Sequence, residues 1–213
     1  MYDDPYPRRR KKSKVWLIVL LAVGIPLGLV SLFLGLGALF LATAKDLPVT
    51  AADREVLLEA GVLAEYVEGF DPSLGTESVG KKRFLDGSHE VEYEYEHPED
   101  DPDHALYVLC TATIEKKGSD ARITYAAAVH TMSLGLGFGG LTVEARDDLF
   151  SWGDDSKCAL LRGEGGAPVG NLFSCRDGTR VFQCTFIGVY FDEVGGLAEL
   201  LQPILTSLRS YRP

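Results

Sequence analysis

The chain has 213 residues, 24% of them charged, with a formal net charge of −10. That length accommodates one ordinary domain beside a terminal appendage, with enough chain to bury a core without metals or disulfide staples. The acidic balance argues against nucleic acid as a partner, because an acidic surface repels phosphate backbones.

The charge is split between the two ends. Residues 1–14 carry six Lys or Arg against two Asp, whereas residues 45–213 carry 15 basic and 29 acidic residues. Between them runs Val15 to Ala44, thirty positions without a charged side chain. As a helix this run extends about 45 Å, against a hydrocarbon core of about 30 Å. The sequence therefore predicts a disordered basic tail over 1–14, a transmembrane helix over 15–44 and one extracytoplasmic domain over 45–213. The basic tail belongs on the cytoplasmic side by the positive-inside rule. Trp16 stands where an interfacial aromatic anchor belongs, and Pro26 should kink the span. Ala42-Thr43-Ala44 offers a small-residue cleavage site, so secretion after cleavage near Ala44 is the alternative. The apolar run is about twice a usual signal core, which favours an uncleaved anchor at the cell membrane.

Within the span, Gly24, Gly28, Ser31, Gly35, Ala38 and Ala42 recur at spacings of three and four. Such a stripe lets two helices approach closely, and is read as a candidate self-association face.

After a short linker at Asp46-Leu-Pro48, Thr50 with Asp53 signals a helix start. Val56, Leu57, Ala60, Leu63 and Ala64 follow at helical spacing, with Gly61 as a break. Asp86-Gly87 then reads as a two-residue hairpin turn between alternating runs. With that turn Phe84 faces His89, Arg83 faces Glu90 and Lys81 faces Glu92. One strand face carries Val91, Tyr93 and Tyr95, and the other Glu90, Glu92, Glu94 and Glu96. The glutamate run thus has a structural reading as the wet face of a strand.

The segment from His97 to His104 is an acidic loop, and Ala105 to Glu115 a strand. A helix is predicted from Ser119 to Met132, favoured by its alanines, and a glycine-rich turn over Gly135 to Gly140. Strands are predicted at Leu141–Glu144, Lys157–Arg162, Asn171–Arg176 and Thr179–Gly188, the last two joined at Asp177-Gly178. The last strand is apolar on both faces and should be central in its sheet. Asp192 is read as the cap of a final amphipathic helix through Leu208, interrupted by Pro203. The fold class is α+β: an antiparallel, hairpin-rich sheet packed by two or three helices.

All four cysteines (Cys110, Cys158, Cys175, Cys184) fall in the exported part. An even count in an oxidising compartment suggests two disulfides, with four buried thiols as the alternative. The Asp177-Gly178 turn sets Cys184 opposite Asn171 and Cys175 opposite Arg180. Cys175 and Cys184 then lie roughly 13 Å apart, too far to bridge.

Signals for chemistry are sparse. Gly135, Gly137 and Gly140 match a dinucleotide-binding spacing, but a strand rather than a helix follows, so no cofactor is assigned. His97, Asp101, Asp103 and His104 could gather around a cation, without the spacing of a known metal site, so no metal is assigned. Trp152-Gly-Asp154-Asp155 places an aromatic beside paired carboxylates, which fits a ligand loop or a turn anchored on the core. His130 reads as a packed residue rather than a base. No nucleophile motif is present. The sequence therefore favours a membrane-anchored extracytoplasmic interaction or accessory module acting on another membrane or envelope protein. A ligand- or cation-binding sensor domain and a membrane-tethered hydrolase are the alternatives.

Overall fold

Among the described residues, eight antiparallel strands form a single sheet in the order β1-β2-β3-β4-β8-β7-β6-β5. The computed structural model describes residues 43–67, 70–97, 106–138 and 140–213. The strands are β1 (Lys45–Asp46), β2 (Thr76–Arg83), β3 (His89–Glu96), β4 (Tyr107–Ile114), β5 (Thr142–Ala145), β6 (Asp155–Arg162), β7 (Pro168–Asp177) and β8 (Arg180–Ile187). The helices are α1 (Ala51–Arg54), α2 (Ala60–Leu63), α3 (Gly118–Phe138) and α4 (Gly196–Ser210). The chain is thus α+β, as its pattern of elements predicts. Two meanders, β1 to β4 and β5 to β8, meet where β4 pairs with β8. The helix α3 carries the chain from the end of β4 to the far edge strand β5.

Among the described residues no helix is long and apolar enough to cross a membrane. Residues 15–42 of the expected span lie outside the described residues, and with them the stripe from Gly24 to Ala42.

Alternation along the central strands places Val91, Tyr93, Tyr95, Val108, Cys110, Ala112, Phe182, Cys184, Phe186 and Phe173 on one face. All are buried in one cluster. Leu197, Leu200, Leu201, Ile204, Leu205 and Leu208 of α4 close over that face, joined by Val56, Leu57, Leu58 and Leu63. Each such leucine contributes about 2 kcal/mol by leaving water. On the opposite face Ala159, Leu161 and Leu172 form a smaller cluster, and α3 packs against β5, β7 and β8.

Five local expectations are corrected. The stretch from Thr50 to Ala64 is not one helix but two single turns, α1 and α2, followed by a 3-10 turn at Ala64–Tyr66. Core side chains take the backbone donors a longer helix would use. The Leu58 N–H donates to Cys110 Sγ at 3.2 Å and the Ala60 N–H to Tyr93 Oη at 2.9 Å. The final helix starts after Gly195 (φ +107), not at Asp192. The buried Asn171 side chain pins Phe191 through both backbone groups, at 2.6 and 2.9 Å, and the chain is not helical there. The expected glycine turn is also shifted, because α3 continues through Gly135 and Gly137 to Phe138.

Both hairpin registers move. The first loop has three residues, Leu85 to Gly87, with Gly87 at φ +83. Arg83 therefore faces His89, Lys82 faces Glu90, and Lys81 faces Val91 on the core side. In the second hairpin Asp177 pairs with Arg180, so Gly178 (φ +61) and Thr179 make the turn. Cys184 faces Phe173 and Cys175 faces Phe182. Cys175 and Cys184 become diagonal neighbours, about 7–8 Å apart, still beyond bridging distance.

Candidate functional site

The loop Trp152-Gly-Asp-Asp155 runs into β6 beside the end of β7. Gly153 sits at φ +73, and a Cβ there would meet the Arg176 carbonyl oxygen at 2.4 Å, so both conformation and space require glycine. That approach lets the Asp154 N–H donate to the Arg176 carbonyl at 2.7 Å. The Arg176 side chain, buried on β7, then grips both carboxylates. Nη1 donates to Asp154 Oδ2 at 2.8 Å, while Nε and Nη2 reach Asp155 Oδ2 at 2.8 and 2.7 Å. Asp154 also accepts from the Gly178 N–H at 3.0 Å. That bond, followed by the Arg176 charge, holds its carboxyl below the usual range. Trp152 is capped by the Arg209 guanidinium of α4, 4.4 Å from the ring centroid, and Arg209 is in turn held by Asp177 at 2.5 Å. The cluster is therefore a clamp joining the loop, the β7–β8 turn and α4. Its aromatic face and its two carboxylates are occupied by the protein's own arginines.

Of the remaining expected ligand set, the described residues include His97 alone. His97 is buried, with Nδ1 3.1 Å from Tyr95 Oη and its ring 5.3 Å from that of Phe70. Asp101, Asp103 and His104 lie outside the described residues. His130 is exposed on α3 rather than packed. Among the described residues no group of three or more His, Cys, Asp or Glu side chains is arranged to hold a metal ion.

The four cysteines are unbridged and buried. Burial pushes the Cys110, Cys158 and Cys175 thiols up to about 12, and raises the Cys184 thiol well above its ordinary value. A thiol held protonated in this way is a poor nucleophile.

A second polar cluster carries no motif in the sequence. Moving Lys81 to the core side brings it against Asp53 of α1, with Nζ 2.8 Å from Oδ1. Tyr211, just past α4, donates its hydroxyl to the same oxygen. Oδ2 accepts from the Thr50 N–H at 2.7 Å and the Thr50 hydroxyl at 2.8 Å. Asp53 is fully buried, and Lys81 and Tyr211 nearly so. Burial alone would raise the Asp53 carboxyl, but Lys81, Tyr211 and Thr50 outweigh it and lower the carboxyl to about 2. Four donors on one carboxylate join the N-terminal segment, β2 and the C-terminus. Beside the cluster lies a shallow groove of about 220 Å³, bordered by Glu55, Ser207 and Arg212. The only signal that could have located this site is Lys81, a cation in a strand, set against an acid read merely as a helix cap.

The outer surface is uneven. Glu92, Glu94 and Glu96 stand exposed along β3, and burial followed by Glu92 raises the Glu90 carboxyl. Val62, Tyr66, Tyr190 and Val194 are exposed apolar side chains, with Tyr66 edge-on to Phe191 at 5.1 Å. Comparison with family models, curated proteins and solved structures yields no significant match for this chain.

Proposed function

We propose that this chain is a single-pass membrane protein, N-terminus in the cytoplasm, whose exported α+β domain acts by binding another membrane or envelope protein. The membrane half of this reading rests on the thirty uncharged residues after a basic tail. For the interaction half, the observation that carries it is the Arg176 clamp. The carboxylates and aromatic ring that resemble a ligand loop are spent on internal contacts, while Tyr66, Tyr190 and Val194 are turned to solvent. Exposed aromatic side chains are over-represented where one protein meets another. The small-residue stripe from Gly24 to Ala42 offers a second contact surface within the bilayer.

The test is photo-crosslinking of the full chain in its native membrane, with the crosslinker placed at Tyr66, at Tyr190 or at Gly28. Adducts of one defined mass from the domain positions are expected, and self-adducts from Gly28 if the span associates. Monomer alone from all three positions would sink the reading. N-terminal sequencing of the mature chain separates an anchor from a product cleaved at Ala44.

A further inference from the structure

The seam between the two meanders is the β4–β8 pair, and its register sets Cys110 directly opposite Cys184. Opposed residues of an antiparallel pair have Cα atoms about 4.5–5.5 Å apart and side chains on the same face. A disulfide requires Cα atoms about 4.4–6.8 Å apart. Both residues are fully buried in the main core.

The other pairings fail on the same measure. Cys158 faces Phe173, and Cys175 faces Ser156 on one side and Phe182 on the other. Cys175 is therefore diagonal to both Cys158 and Cys184, at about 7–8 Å. Cys158 stands two strands from Cys184, roughly 10 Å away at about 4.8 Å per strand. Cys110 is farther still from Cys158 and Cys175.

We propose that Cys110 and Cys184 are joined by a disulfide in the mature protein, with Cys158 and Cys175 remaining thiols. The proposal rests on the exported placement of the domain, which supplies an oxidising compartment. The oxidant is a small-molecule or protein disulfide such as glutathione disulfide. The thiolate of one cysteine attacks it and expels one reduced thiol, and the second cysteine resolves the mixed disulfide and expels the other. The oxidant's S–S bond and two cysteine S–H bonds are exchanged for the Cys110–Cys184 bond and two S–H bonds on the reduced oxidant. The exchange must precede core closure, because both thiols are sealed from solvent once β8 docks on β4. The link would tie the first meander to the second across a loop of roughly 75 residues, the length range in which cross-linking constrains the unfolded chain strongly.

The experiment uses the full chain in detergent, unfolded in reductant, refolded with glutathione and its disulfide, then alkylated and digested. A linked Cys110–Cys184 peptide is expected, with Cys158 and Cys175 alkylated and the link retained in Cys158→Ser and Cys175→Ser. Reduction should lower Tm by about 10 °C in the natural chain and leave Cys110→Ala/Cys184→Ala unmoved. Separate alkylation of Cys110 and Cys184, or a link from either to another cysteine, overturns the pairing. Chain taken from intact cells is mapped in parallel, with exposed lysines probed by a membrane-impermeant amine reagent. If the domain is reached and its cysteines are thiols, the linkage in the mature protein is overturned while the placement stands. If refolding gives the link but the reagent cannot reach the domain, the placement is overturned and not the pairing.

Discussion

Two charged clusters join segments of this domain that are distant in sequence, and they differ in how much water they see. In one, Asp53 is fully buried and receives four donors from Lys81, Tyr211 and Thr50. In the other, Arg176 is buried but its partners Asp154 and Asp155 are about half exposed. A buried carboxylate has no alternative hydration, so every donor it loses leaves a desolvated charge. A half-exposed carboxylate can turn to water instead. The conspicuous cluster should therefore be the weaker one, and the one without a motif should govern stability.

Replacing Asp53 with Ala is the strongest test of that contrast. It strands the Lys81 ammonium and the Tyr211 hydroxyl in the core, at an expected cost of about 3–5 kcal/mol. Urea unfolding should show the midpoint falling with little change in slope. Asp53→Leu with Lys81→Met should recover part of the loss, because the pair is removed together. A cost for Asp53→Ala below that of Arg176→Ala would reverse the ranking of the two clusters.

Acid probes the same carboxylate without a mutation. The Asp53 carboxyl is depressed from 3.8 to about 2 in the fold. A depressed folded value means the contribution is fully present above the unfolded value and is lost as pH falls through the folded one. Stability from this group should thus hold above about pH 5 and drop by about 2 kcal/mol between pH 4 and 2. The drop should vanish in Asp53→Leu/Lys81→Met. A pH profile identical in both proteins would show that other carboxylates control acid unfolding.

How much of this was legible depends on a parity in the strands. The Asp177-Gly178 signal places the second turn one residue early, and the register moves by two. A shift of two preserves faces, so the apolar residues of β7 and β8 could be assigned correctly despite the wrong partners. At Asp86-Gly87 the loop takes one extra residue, with Gly87 at φ +83, and the register moves by one. That slip turns Lys81 from an expected partner of Glu92 into a core residue, and so conceals the Asp53 cluster entirely. The glutamate face survived because β3 keeps its own alternation whichever partner it takes. The central position of β8 was legible from its two apolar faces. The α1–α2 segment was not, since its backbone donors go to Cys110 and Tyr93, which are distant in sequence. Trp152-Gly-Asp-Asp155 was legible as a cluster, but its role turns on Arg176 and Arg209, which only the fold brings near.

The smaller effect belongs to that clamp. Arg176→Ala should cost about 1–2 kcal/mol, because three bonds to charged acceptors are lost while both carboxylates gain water. Arg176→Lys keeps the charge but cannot span two carboxylates with one planar fork, so it should recover less than half. The readout that separates a clamp from general instability is local. In a Trp16→Phe background Trp152 is the sole tryptophan, and losing the clamp should free the loop beneath Arg209. Its emission should shift to the red and iodide quenching should rise, under conditions where the fold is intact by far-UV circular dichroism. Asp53→Ala, studied below its unfolding midpoint, should leave that emission unchanged. If Arg176→Ala leaves Trp152 as shielded as before, Arg209 and Asp177 hold the ring alone, and the two carboxylates regain a claim to bind something from outside.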